Sequence, residues 1–164
     1  MDFLIKLVFV LLIFTSTMFF QVQNQEWDIT RSLLKDANNM AVHDASQELD
    51  MIALGQGNII IDPNWALETF KDTLEGNLGL DANLTPLAGS RLNASVKIVD
   101  FRILDDSNTV FPILYEDAQY GITKYLSGPA VVAVIETKHP VLIARSRVPQ
   151  AIRVPAIYEY KENK

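Results

Sequence analysis

Cysteine is absent from this chain of 164 residues. Its absence rules out structural disulfides, thiol catalysis and the cysteine-based zinc and iron–sulfur sites. Histidine is almost as scarce, with only His43 and His139, far apart in sequence. No glycine-rich phosphate loop, no His-Glu-x-x-His pair and no Gly-x-Ser-x-Gly elbow occurs anywhere. The chain is therefore not expected to be an enzyme, and no catalytic, cofactor-binding or metal-ligating residue is assigned. Positive charge is also in short supply: 14 Lys and Arg face 20 Asp and Glu, for a net charge of −6. Nucleic acid is an unsuitable main partner for such a surface, because phosphate binding needs concentrated positive charge.

What the chain does have is a long apolar opening. From Phe3 to Phe20 the only charged residue is Lys6, and Phe, Leu, Ile and Val dominate. Eighteen such residues in a helix cover about 27 Å, close to the hydrocarbon thickness of a bilayer. A cleaved signal peptide would need a basic start and a small-residue cleavage site. Here Asp2 accompanies Lys6, and the only small-residue stretch, Thr15-Ser16-Thr17, is followed by Met18-Phe19-Phe20. The expectation is an uncleaved anchor over residues 1–20, placing the protein in the cell membrane as a single-pass protein. The short N-terminal tail is expected inside and the folded domain outside. The lack of disulfides does not contradict an extracytoplasmic domain in bacteria.

Beyond the span, Trp27 suits the membrane interface. From Trp27 to Leu49 no Pro or Gly interrupts the chain, and Ile29, Leu33, Leu34, Ala37, Met40, Ala41 and Ala45 recur near helical spacing. Arg31, Lys35, Asp36, Asp44 and Glu48 occupy the opposite face. This amphipathic helix either continues the span as one rod or breaks near Gln21–Gln25, and Gly55-Gln56-Gly57 is expected to end it. Its apolar stripe must be covered, most economically by the rest of the chain. Residues 21–57 are thus helix and connector, and residues 58–164 form the α+β domain packed on it.

Within that domain Asn58-Ile59-Ile60-Ile61 reads as a short strand or an extended entry. Asp62-Pro63 is a strong helix start, since Asp accepts from free amides and Pro fits the first helical position. A second helix is expected from Pro63 to Asn77, bracketed by Gly76 and Gly79. Leu80 to Asn93 is a loop. Ser95 to Leu104 is strand-like but changes phase, with Val96 and Ile98 in one phase and Val99, Phe101 and Ile103 in the other, which suggests a bulge or cover on both faces. Val110 to Tyr115 is a strand near an edge or start because of Pro112. Ala130 to Ile135 is apolar in both phases and so central. Val141 to Ala144 is a further strand candidate. Ile152 to Tyr160 alternates cleanly, with Pro155 marking an edge. The fold expected is an antiparallel sheet of about four strands with two helices against it.

Several polar groups invite a chemical reading. Asp44 and Glu48, four residues apart beside His43, have the spacing to share a cation or simply to form a solvated face. His139 before Pro140 reads as a turn residue. Asp105-Asp106-Ser107-Asn108 lacks the Gly and distal Glu of a calcium loop and reads as a turn. Asn83-Leu84-Thr85 and Asn93-Ala94-Ser95 match the glycosylation pattern. Six basic residues, Lys138, Arg145, Arg147, Arg153, Lys161 and Lys164, make the C-terminal end basic. That end is either a solvated face or one side of head-to-tail matching between copies.

An apolar N-terminal run (Leu7–Phe14), a helix over Leu33–Leu49 and Asn58-Ile59-Ile60-Ile61-Asp62-Pro63 leading into a second helix follow one another in that order. That order resembles pilins and pseudopilins, and more narrowly the TadE-like pilus-assembly proteins of Gram-positive bacteria. The resemblance implies a non-enzymatic, membrane-anchored component of a pilus-like or secretion apparatus, with protein partners in a membrane assembly. The prepilin processing motif, Gly before Phe-Thr-Leu-x-Glu, is absent, so no family residue role is carried over. The alternative is an anchored extracytoplasmic domain that binds a ligand or senses one.

Overall fold

This computed structural model describes residues 2–138 and 151–161. Helix α1 (Asp2–Ala45) runs 44 residues without a break, about 66 Å at 1.5 Å per residue. No residue able to interrupt it, neither Gly nor Pro, occurs before Gly55. The first half and the second half are therefore one rod. Its most apolar 18-residue window has a mean hydropathy of 2.4, and none of it is buried. Burial begins at Gln23 and becomes regular from Leu34 through Ala37, Asn38, Ala41, Val42 and Ala45. Among the described residues there is thus a single apolar helix fit to anchor the chain in a membrane, continuous with a helix of the folded domain.

The rod ends ten residues before Gly55, not at the Gly55-Gln56-Gly57 stretch expected from sequence. Ser46 turns back on the last turn, its N–H and its hydroxyl both donating to the His43 carbonyl at 3.1 and 2.6 Å. Asp50 then caps a new short helix, α2 (Met51–Gly55), by accepting from Ile52 N and Ala53 N. A side chain that satisfies free helix amides favours a restart over continuation. Leu49 and Ile61 form an isolated antiparallel bridge, so Asn58 to Ile61 is an extended entry. Helix α3 (Pro63–Leu78) follows, capped by Asp62 at 2.9 and 3.1 Å to Asn64 N and Trp65 N. Gly79, at φ 63°, closes it in the left-handed conformation that Gly adopts without strain.

Five strands follow among the described residues: β1 (Val96–Leu104), β2 (Ile113–Asp117), β3 (Ile122–Leu126), β4 (Ala130–Lys138) and β5 (Ala151–Glu159). They divide into a three-stranded antiparallel sheet ordered β1-β4-β5 and a separate β2-β3 hairpin. The phase change in β1 is a bulge: the register with β4 shifts between Ile98 and Asp100. β4 is central, and Ala130 to Ile135 are all fully buried. On one face Val131, Ala133 and Ile135 join Ile152, Val154 and Ala156 of β5 in a core with Leu34, Ala41, Phe70 and Leu74 of the helices. On the other face, with the two-residue period of a strand, Val132 and Val134 are buried away from that core. The hairpin ties to that side, as Arg102 and Lys124 show below. The layers are thus helices, sheet and hairpin.

The hairpin was only half expected. Val110 to Tyr115 anticipates β2, shifted toward the N-terminus, but β3 has no counterpart in the sequence reading. Pro155 lies on β5, a strand paired on one side only among the described residues, where a missing N–H on the unpaired side leaves no ladder bond unmade. The strand expected at Val141 to Ala144 and the turn at His139-Pro140 lie outside the described residues.

Candidate functional site

The feature with the greatest functional content is α1 itself, because one helix serves two environments. At its start Lys6 pairs with Asp2 at 2.8 Å, one turn apart and both exposed, so the lone cation of the apolar run has its counter-charge beside it. Further along, the Thr15 and Thr17 hydroxyls donate to the Leu11 and Ile13 carbonyls at 2.8 and 2.9 Å. These polar groups are satisfied within the helix, as a bilayer requires. The Arg31 guanidinium lies 5.8 Å from the Trp27 ring centroid; that ring, expected at the membrane interface, is partly buried against the domain core instead.

In the domain half, small residues bring helix and sheet together. Ala37, Ala41 and Ala45 face the core at 3, 0 and 0% exposure, and their short side chains let β4 and β5 approach. Between them sits Asn38, fully buried. Its Nδ2 donates to the Ala133 carbonyl of β4 at 3.2 Å and to the Val154 carbonyl of β5 at 3.0 Å. Its Oδ1 has no partner among the described residues. One buried amide therefore fixes the register of α1 over two strands, since either shift along the helix strands its donors.

The contact with α3 is polar at its rim. Asp44 Oδ2 accepts from the Thr73 hydroxyl at 2.8 Å, and Glu48 Oε1 from the Thr69 hydroxyl at 2.9 Å. The carboxylate pair considered for a cation is thus divided between two threonines, each acid with its own donor. His43 Nδ1 meets Asp44 Oδ1 at 2.9 Å, and the His43 ring stands edge-on to Tyr158 at 4.6 Å between centroids. The threonine hydroxyls donate to the carboxylates that hold the helices together. Among the described residues no group of three or more His, Asp and Glu is placed to hold a metal ion.

Two open grooves flank β5. One, about 540 Å³, lies against α1 between Met40, His43 and Tyr158; the other, about 320 Å³, lies between Asn39, β3 and Pro155. They share Asn39 and Ile157. Neither holds a convergent set of buried polar groups. Lys124 Nζ reaches across from β3 to the Ile157 carbonyl at 3.2 Å, occupying an acceptor on the outer edge of β5.

Sequence reasoning missed the polar cluster that docks the hairpin. Arg102 bonds Asp100 at 2.7 Å, Asp117 at 3.2 Å and the Tyr115 hydroxyl at 3.2 Å. Burial alone would lower the Arg102 pKa, but the hydrogen bond to Asp100 and the fields of Tyr115, Asp100 and Asp117 raise it. The Tyr115 phenol is raised, first by burial and then by the charge of Asp117, against the lowering effect of Arg102. These residues are spread over β1 and β2, and no local spacing announces their meeting.

Other expectations fall where the chain's geometry puts them. Asp105 is buried and structural: its Oδ2 accepts from Ile61 N at 3.1 Å, and its Oδ1 from Ser107 N at 3.0 Å. Asp106 accepts from Ile59 N at 2.8 Å. That loop is a clasp on the extended entry to α3. Asn83 and Asn93 are exposed on the segment before β1. Arg153 pairs with Glu136 across β4 and β5 at 2.6 Å, so it is committed to the sheet; Arg145 and Arg147 lie outside the described residues. Comparison with protein-family models, with curated proteins and with solved structures finds no match.

Proposed function

We propose that this protein is a membrane-anchored, non-enzymatic component of a pilus-like or secretion assembly, with its domain on the extracytoplasmic side. The observation that carries the reading is the unbroken α1, bare and apolar through its first half and built into the core through its second. A domain rigidly joined to its anchor transmits position and force, whereas a tethered ligand binder needs only a flexible link. The apolar halves of neighbouring copies would pack in the bilayer by shape and dispersion. The order of elements also resembles the TadE-like proteins named above.

An anchored ligand-binding domain is the second reading, favoured by the grooves along β5. Crosslinking in intact membranes separates the two. The assembly reading expects a reproducible ladder or one defined heteropartner. A clean monomer under conditions that crosslink a known membrane oligomer would refute it.

A further inference from the structure

The end of the domain farthest from the membrane differs from the rest in charge and in exposed apolar surface. Ala45 lies 25 residues beyond Phe20, about 38 Å along an unbroken helix. There α1 stops, α2 and α3 begin from the Leu49–Ile61 bridge, and β1 delivers Asp105 and Asp106 to the same place through their bonds to Ile61 N and Ile59 N. Asp44, Glu48, Asp50, Asp62, Asp105 and Asp106 therefore gather at this end. Each accepts a hydrogen bond from a hydroxyl or a backbone amide. Among the described residues none of them pairs with a Lys or Arg. Neutral donors satisfy the oxygens without cancelling the charge, and the exposed Lys161 that follows β5 to this end is offset by Glu159 beside it. At the same end Ile52, Met51 and Trp65 are 77, 74 and 60% exposed.

We infer that this end is a docking surface for a separate protein that presents an amphipathic, Lys/Arg-rich segment. An uncompensated negative field attracts a cationic partner and raises its encounter rate. Exposed Trp, Ile and Met supply the apolar anchors around which binding energy concentrates. The protein's own bilayer is out of reach at this distance, and anionic headgroups would be repelled. The partner docks through side chains and not by adding a strand, because both sheet edges are guarded. β1 carries a bulge with Lys97, Asp100 and Arg102, and β5 carries Pro155 and the Lys124 bond to Ile157. The inference rests on the assembly reading and names the chemistry of its partner.

The test uses the full-length protein in phosphatidylcholine nanodiscs. The probes are a fluorescent peptide of Lys and Leu at helical spacing and its Glu and Leu counterpart. The Lys peptide should bind with an affinity that falls steeply with salt, and the Glu peptide should not. Ile52→Ser combined with Trp65→Ser should weaken binding about tenfold or more, and Glu68→Lys, exposed on α3 three residues beyond Trp65, about threefold. Leu87→Ser, exposed near the other end of α3, should leave binding unchanged. Equal binding by the double variant with an unaltered melt, or equal binding of the two peptides, overturns the inference. So does self-association of the protein that the double variant abolishes, which would make a second copy the occupant. Capture of anionic vesicles through the same residues also overturns it. A crosslinked ladder in membranes with no peptide binding would sink this surface alone; peptide binding by a protein that is a clean monomer in membranes would sink the assembly reading.

Discussion

The two halves of α1 share a backbone and differ in almost everything else. From Phe3 to Phe20 the side chains are mostly large, apolar and exposed; from Leu34 to Ala45 the buried ones are mostly small. The first half is fit to meet lipid, where bulk costs nothing and only polar groups must be satisfied. The second meets a sheet, where Ala37, Ala41 and Ala45 set the approach and Asn38 sets the register. Hydropathy therefore separates the halves by what surrounds them, while the helix itself is fixed by the absence of any breaker.

Changes confined to one half should leave the other intact. The largest effect is expected from Asn38→Asp, which removes both donors and sets a carboxylate against two carbonyl oxygens. It should destabilise the domain by about 3 kcal/mol or more in denaturant melts at neutral pH. The introduced acid should have a raised folded pKa, so the loss should be smallest below the unfolded value, grow as pH rises from there to the folded value, and level off above it. Membrane retention should not change. Leu12→Arg is the converse: it raises the cost of insertion by about 3 kcal/mol, so the protein should shift from the membrane fraction while its domain melts as before. Ala41→Leu overfills the seam and should cost about 1–3 kcal/mol. Thr69→Val and Thr73→Val, which take the donors from Glu48 and Asp44, should cost about 1 kcal/mol each. The smallest effect concerns the hairpin, away from α1. Because the Tyr115 phenol is raised in the fold, its contribution is intact below pH 10 and is lost as pH climbs through the folded value. Tyr115→Phe should flatten that alkaline slope and leave neutral stability nearly unchanged.

What could be read from sequence was what repeats at short range. The span, the Asp62-Pro63 start, the bulged strand at Val99, the buried run of β4 and the edge role of Pro155 each rest on neighbours along the chain. What escaped depends on residues distant in sequence. No local spacing singles out Asn38, whose partners lie 95 and 116 residues away. β3 escaped for a different reason: Ile122, Lys124 and Leu126 alternate weakly, although Asp117 through Gly121, with Gly121 at φ 66°, carries the turn chemistry of a hairpin. Asp44 and Glu48 had the right spacing for a shared cation, but α3 brings a threonine to each, and only the packed helices reveal that.

The account stands or falls on α1 crossing residues 21–25 without a break. The chain's lack of cysteine makes the measurement clean, because only introduced thiols take a label. Spin labels at Met18→Cys and Asn39→Cys of the full-length protein in nanodiscs report the separation across the junction by pulsed electron resonance. A continuous helix places the two backbone positions about 32 Å apart, and the distance distribution should be single and narrow. A broad distribution, or one centred well below that length, would mean that the anchor and the domain are joined by a hinge, and would contradict the central claim.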